Sequence, residues 1–112
     1  MKTTIIISGE QHSGKSWLMY VLTEAFIHEP TVAVSPDAFL TSQVSNVNWR
    51  AVYLIDAVRG IPQLKNILDK LARMGGTAII TTYEPPRHIR LIQQSAPCRI
   101  INLARRSDYF ND

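Results

Sequence analysis

Apolar positions along the chain follow two periods that alternate. Residues 3–8 (Thr3-Thr4-Ile5-Ile6-Ile7-Ser8) are a β-branched run with no polar face, the pattern of a strand buried on both sides. Over 15–28 the spacing becomes helical, with Trp17, Leu18, Val21, Leu22, Ala25 and Phe26 as the apolar face and Pro30 as the stop. A short strand is predicted over 31–35. Residues 36–49 are polar and irregular, with one helical turn over 37–41, and 51–55 form a second strongly apolar run. Ile61, Leu64, Ile67, Leu68, Leu71 and Met74 share one helical stripe, which Gly75-Gly76 terminates. Residues 77–82 read as a core strand, Pro85-Pro86 as a break, 87–95 as a short helix and 98–103 as a last strand before a charged tail.

Strands separated by helices of this length predict an α/β fold. Its form is a three-layer parallel sheet of about five strands with helices on both faces. Right-handed crossovers gather residues 9–16, Asp37, Asp56, Thr81, Thr82 and the segment after Leu103 at the C-terminal edge of that sheet, where α/β folds bind ligands. A chain of 112 residues makes one domain over 1–112, with little room for a lid. The single cysteine, Cys98, excludes an internal disulfide and a Cys-rich metal site, and fits a strand position in a reducing cytoplasm. No signal-like segment and no apolar run of membrane-spanning length occurs, so a cytoplasmic location and no membrane partner are expected. Net charge is +3, and most of the eight arginines lie in the second half, among them Arg73, Arg87, Arg90, Arg99, Arg105 and Arg106. That bias suits contact with nucleic acid or with a neighbour's triphosphate, and equally a solvated surface.

The most specific chemistry lies between the first strand and the first helix. Gly9-Glu10-Gln11-His12-Ser13-Gly14-Lys15-Ser16 reads G-x-x-x-x-G-K-S, a phosphate-binding loop in the strand–loop–helix context the motif requires. Gly9 allows a sharp exit from the strand, and Gly14 lets backbone N–H groups approach phosphate oxygens closely. The following helix adds free N–H groups and its positive dipole end. Lys15 is placed to reach β- and γ-phosphates, and Ser16 to ligate Mg²⁺. The expected nucleotide-binding segment is Gly9, Glu10, Gln11, His12, Ser13, Gly14, Lys15, Ser16 and Trp17, with ATP and Mg²⁺ as ligands. No Asn-Lys-x-Asp string for guanine occurs. Val52-Tyr53-Leu54-Ile55-Asp56 is an apolar run ending in an acid, the Walker B pattern, which makes Asp56 the second Mg²⁺ residue opposite Ser16.

The order of glycine loop, Walker B strand, helix and a strand ending in Thr81-Thr82 resembles the additional-strand P-loop ATPases. Within them it is most similar to the AAA+ branch of helicase loaders and transposition helper ATPases. Residues 77–86 (Thr-Ala-Ile-Ile-Thr-Thr-Tyr-Glu-Pro-Pro) resemble the sensor segment of that branch, whose terminal polar residue positions the attacking water. Arg99-Ile100-Ile101-Asn102-Leu103 resembles its closing strand. The resemblance implies catalytic roles for Lys15, Asp56, Thr81 and Thr82. The chain departs from the pattern twice. Ala57 stands where a catalytic glutamate follows the Walker B aspartate, and no helical lid is expected within these 112 residues. Asp37, after the second strand, is the first substitute for the missing acid, ahead of Glu84 and Glu10.

An arginine from a second copy or a protein partner often completes such sites, and Arg87, Arg90, Arg105 and Arg106 lie where one can occur. Trp17, Tyr20 and Trp49 read as packing groups, and Tyr83 as a loop aromatic. Three functions fit the residues: a slow ATPase acting with a partner, a homo-oligomer or DNA; a small nucleotide or small-molecule kinase; and a non-catalytic nucleotide-binding module, which Ala57 favours.

Overall fold

The computed structural model describes residues 3–10, 13–25, 29–41, 51–92 and 98–103. Five strands and four helices alternate along the chain. They are β1 (Thr4–Gly9), α1 (Lys15–Ala25), β2 (Thr31–Val34), α2 (Pro36–Thr41), β3 (Val52–Val58), α3 (Ile61–Met74), β4 (Thr77–Thr82), α4 (Pro86–Ile92) and β5 (Cys98–Leu103). The strands form a single parallel sheet in the order β2-β3-β4-β1-β5. The predicted α/β sheet is therefore the observed one, and β4 lies between the strand that feeds the glycine loop and the strand that carries Asp56.

Alternate residues of each buried strand feed opposite faces, as the period of a strand requires. Ile6, Tyr53, Ile55, Ala78 and Ile80 join Phe39 of α2, Leu64, Ile67, Leu68 and Leu71 of α3, and Ile89 of α4 in the larger core. Ile7, Val52 and Ile79 face the other way, against Leu18, Met19 and Leu22 of α1. The predicted stripe of α3 is the buried one, although Lys70 is buried with it. Lys70 Nζ donates to the Phe39 carbonyl, at the C-terminal end of α2, and lies 4.9 Å from the Phe39 ring. Burial, then Arg73, lowers its pKa. At the end of α3, Gly75 takes φ 67°, and the Gly75 and Gly76 N–H groups reach back to the carbonyls of Ala72 and Leu71.

Two expectations are corrected and a third is met. On α1, Leu18, Met19 and Leu22 form the packed face, whereas Trp17 and Tyr20 are 69% and 65% exposed and Val21 also faces solvent. The helical turn expected over 37–41 is present as α2, which Ser35 caps by accepting the Ala38 N–H at 3.2 Å. Asp56 does not end its strand: the register shifts between Ile55 and Val58, and pairing with β4 resumes at Val58↔Thr82. Phe26, Trp49, Arg105 and Arg106, with the predicted helical extension to residue 28, lie outside the described residues.

Candidate functional site

The C-terminal ends of β1, β3 and β4 converge on a cavity of about 280 Å³ lined by Gly14, Lys15, Ser16, Trp17, Asp56, Ala57, Thr81 and Tyr83. Residues 40 apart in sequence meet here: the Ser16 hydroxyl lies 3.4 Å from both carboxylate oxygens of Asp56. The loop's shape explains its glycines. A Cβ on Gly9 would lie 2.4 Å from Ser13 Oγ and 2.9 Å from the Leu103 carbonyl, so only glycine lets β1 turn under the loop beside β5. Gly14 has open space around it, and what selects glycine there is its φ of 92°. Ser13 Oγ is buried under the loop without a hydrogen-bond partner among the described residues.

Lys15 opens α1 and is only 7% exposed. Its ammonium donates to the Glu10 carbonyl at 2.7 Å and sits 4.3 Å from the centre of the Tyr83 ring. Desolvation lowers its pKa, and the nearby Asp56 carboxylate offsets part of that shift. Such an ammonium has given up water for a single loop carbonyl and a ring face, and a polyphosphate is a better partner for it.

The sign of the shift yields a pH prediction. Only the charged lysine attracts phosphate, and bound phosphate raises its pKa, so binding takes up a proton between the free-state and bound-state values. The free-state value lies below the ordinary 10.5. Nucleotide affinity should therefore fall as pH rises through that lowered value, earlier than a solvated lysine would dictate. Dissociation constants measured across the alkaline range check this; affinity that holds until an ordinary lysine titrates contradicts it.

Asp56 is oriented by β4. The Thr81 hydroxyl donates to Asp56 Oδ1 and accepts the Ala57 N–H at 2.7 Å, so one side chain clamps both the carboxylate and the bulge that presents it. Ala57 has φ 62°, the sole non-glycine residue with positive φ among those described, at a cost of about 1–2 kcal/mol. Thr82 is fully buried, donates to the Val58 carbonyl at 2.9 Å and accepts the Glu84 N–H at 3.2 Å. It braces the strand ends and does not line the cavity. Asp37 does not line it either; its carboxylate accepts a hydrogen bond from Gln63 Nε2 of α3 at 3.1 Å. Glu84 accepts from Ser8 Oγ through its backbone carbonyl at 2.6 Å, and its carboxylate lies 3.2 Å from His88 Nδ1. Gln11 and His12 lie outside the described residues.

The donor set suits a hard cation. Ser16 and Asp56 offer oxygen only, and no cluster of three or more His, Cys, Asp or Glu able to hold a metal occurs among the described residues. A cation held here takes its remaining ligands from phosphate and water, as Mg²⁺ does. Tyr83, the expected loop aromatic, is 41% exposed at the cavity rim; Arg59, whose guanidinium lies 5.7 Å from the Tyr83 ring centre, went unseen in the sequence because it belongs to no motif. No helix among the described residues is long and apolar enough to cross a membrane.

No family model and no curated protein matches the sequence. Among solved structures the chain is similar to AMPPCP-bound DnaA from Aquifex aeolicus, at 15% identity and a TM-score of 0.55, covering 92% of this chain and 41% of that one. It is also similar to Bacteroides sp Pif1 in complex with ADP-AlF4, at 10% identity and a TM-score of 0.55, covering 92% and 38%. Both are P-loop NTPases, and the likeness is one of fold. The chain spans about two fifths of the length of either.

Proposed function

We propose that this domain binds a magnesium–nucleoside triphosphate, ATP by preference, and hydrolyses it slowly, with a partner or a nucleic acid raising the rate. The observation that carries the reading is the convergence of Lys15, Ser16, Asp56 and Thr81 on one cavity at the N-terminus of α1. Nucleotide analogues in both structural neighbours support it. Lys15 exchanges the Glu10 carbonyl for β- and γ-phosphate oxygens, while the free N–H groups of α1 and the loop take the remaining charge. Ser16 and Asp56 hold Mg²⁺, which neutralises phosphate charge when bound. Thr81 fixes the carboxylate of Asp56, and its hydroxyl, once freed from one of its two bonds, is within the cavity to orient water.

The insertion of β4 between β1 and β3 favours the additional-strand branch of these ATPases. A cytoplasmic setting, contact with DNA and assembly with a second copy or a partner that supplies an arginine belong to the same reading. A non-catalytic nucleotide-binding module is the second reading, favoured by Ala57 at the position of the usual acid. Calorimetric titration with magnesium–ATP, followed by phosphate release with and without single-stranded and duplex DNA, tests both. Micromolar binding with turnover that rises with DNA or protein concentration is expected. Binding without any turnover leaves the second reading, and absence of binding overturns both.

A further inference from the structure

Arg59 follows β3, and neither its chemistry nor its position belongs to the glycine loop or the Walker B pair. Its backbone is anchored: the N–H donates to Gln63 Oε1 at 2.9 Å, and Gln63 is held in turn by Asp37 at 3.1 Å. Its side chain is exposed and makes no ion pair among the described residues. What it does meet is the Tyr83 ring, 5.7 Å from guanidinium carbon to ring centre. The same ring carries the Lys15 ammonium at 4.3 Å.

Tyr83 is itself pinned from both sides. Thr82 ties the preceding residue to the Val58 carbonyl, and Ser8 of β1 donates to the carbonyl of Glu84, the next residue. The backbone on both sides of the ring is therefore anchored, at the rim of a cavity that already offers a loop, a lysine and a pair of hard oxygen donors. Two cations, one with no counter-charge among the described residues, share its π-system. Cation–π contact localises a guanidinium without neutralising it. It leaves the planar fork free for a tetrahedral oxyanion, a task in which arginine surpasses lysine.

We propose that Tyr83 and Arg59 form a terminal-phosphate reader: Tyr83 is a positioning residue that seats both cations, and Arg59 contacts the γ-phosphate, so the site separates triphosphate from diphosphate. The inference rests on the nucleotide-binding reading above. A guanidinium that merely covered a surface ring would affect both nucleotides alike.

The test is the ratio of ATP to ADP affinity, measured with and without Mg²⁺ on the wild type and on Arg59→Ala, Arg59→Lys, Tyr83→Phe and Tyr83→Ala. Arg59→Ala should weaken ATP about tenfold to a hundredfold and ADP by less than about twofold. Arg59→Lys should recover only part of the loss. Tyr83→Phe, which keeps the ring, should preserve the ratio, and Tyr83→Ala should lower it. Equal losses for ATP and ADP, or none, in an Arg59→Ala protein with a wild-type melting temperature would overturn the reader while the nucleotide site stands. A wild type that binds neither nucleotide removes both.

Discussion

Replacing Lys15 with alanine should weaken magnesium–ATP binding at least about 30-fold, the lower end of the ~2–5 kcal/mol lost when one partner of a desolvated charge pair is truncated. The empty protein should melt no lower than the wild type. Both halves follow from the same geometry. Lys15 is nearly buried, and its compensation without ligand is one carbonyl, one ring face and the attraction of Asp56. Burial holds its pKa below the unfolded value, so the native state binds fewer protons than the unfolded chain. In the window between the two values stability rises with pH, and below the native-state value the charged lysine weighs against the fold. Removing the side chain relieves that burden while deleting the cation that meets phosphate, a usual conflict between stability and function at binding sites. The wild type should gain melting temperature with magnesium–ATP, and the variant should gain little. Calorimetry and thermal denaturation on the two proteins decide it; unchanged affinity in Lys15→Ala would place the polyphosphate elsewhere.

The two halves of the site differed in how far the sequence disclosed them. The glycine loop is local chemistry: its eight residues are consecutive, so their spacing, with a strand pattern before and a helix pattern after, made it legible as a candidate. Asp56 was also recognisable, from an apolar run closed by an acid, but the way it is held was not. The bulge at Ala57 depends on a hydroxyl 24 residues away on the neighbouring strand, and no one-dimensional pattern encodes that register. Thr81 and Thr82 look equivalent in sequence, yet strand alternation sends the first to the cavity and the second to the Val58 carbonyl. The same blindness affects α1. Its apolar residues outnumber the positions that a single sheet face can cover, so helical spacing alone cannot tell that Met19 packs while Trp17 and Tyr20 stay in solvent. Asp37 met the expected chain position, after the second strand, but the cap that starts α2 aims its carboxylate at Gln63.

Placing glutamate at position 57 should speed hydrolysis by about 10²-fold or more, since a positioned general base contributes roughly 10²–10⁴. Residue 57 lines the cavity and directly follows Asp56, where additional-strand ATPases carry their acid. The backbone conformation is no new obstacle, because the alanine already sits at φ 62° and the wild-type fold tolerates it, with the Ala57 N–H still committed to Thr81. A carboxylate introduced beside Asp56 experiences like charge, which raises its own pKa toward the range where a base works best. Ala57→Gln supplies the same length without a basic oxygen and should leave the rate near that of the wild type. Phosphate release under saturating magnesium–ATP, normalised to nucleotide bound, compares the three proteins. Equal rates for the glutamate and glutamine variants would mean that the missing acid is not what limits turnover, and that the barrier lies in a group that a second copy or a partner has to bring.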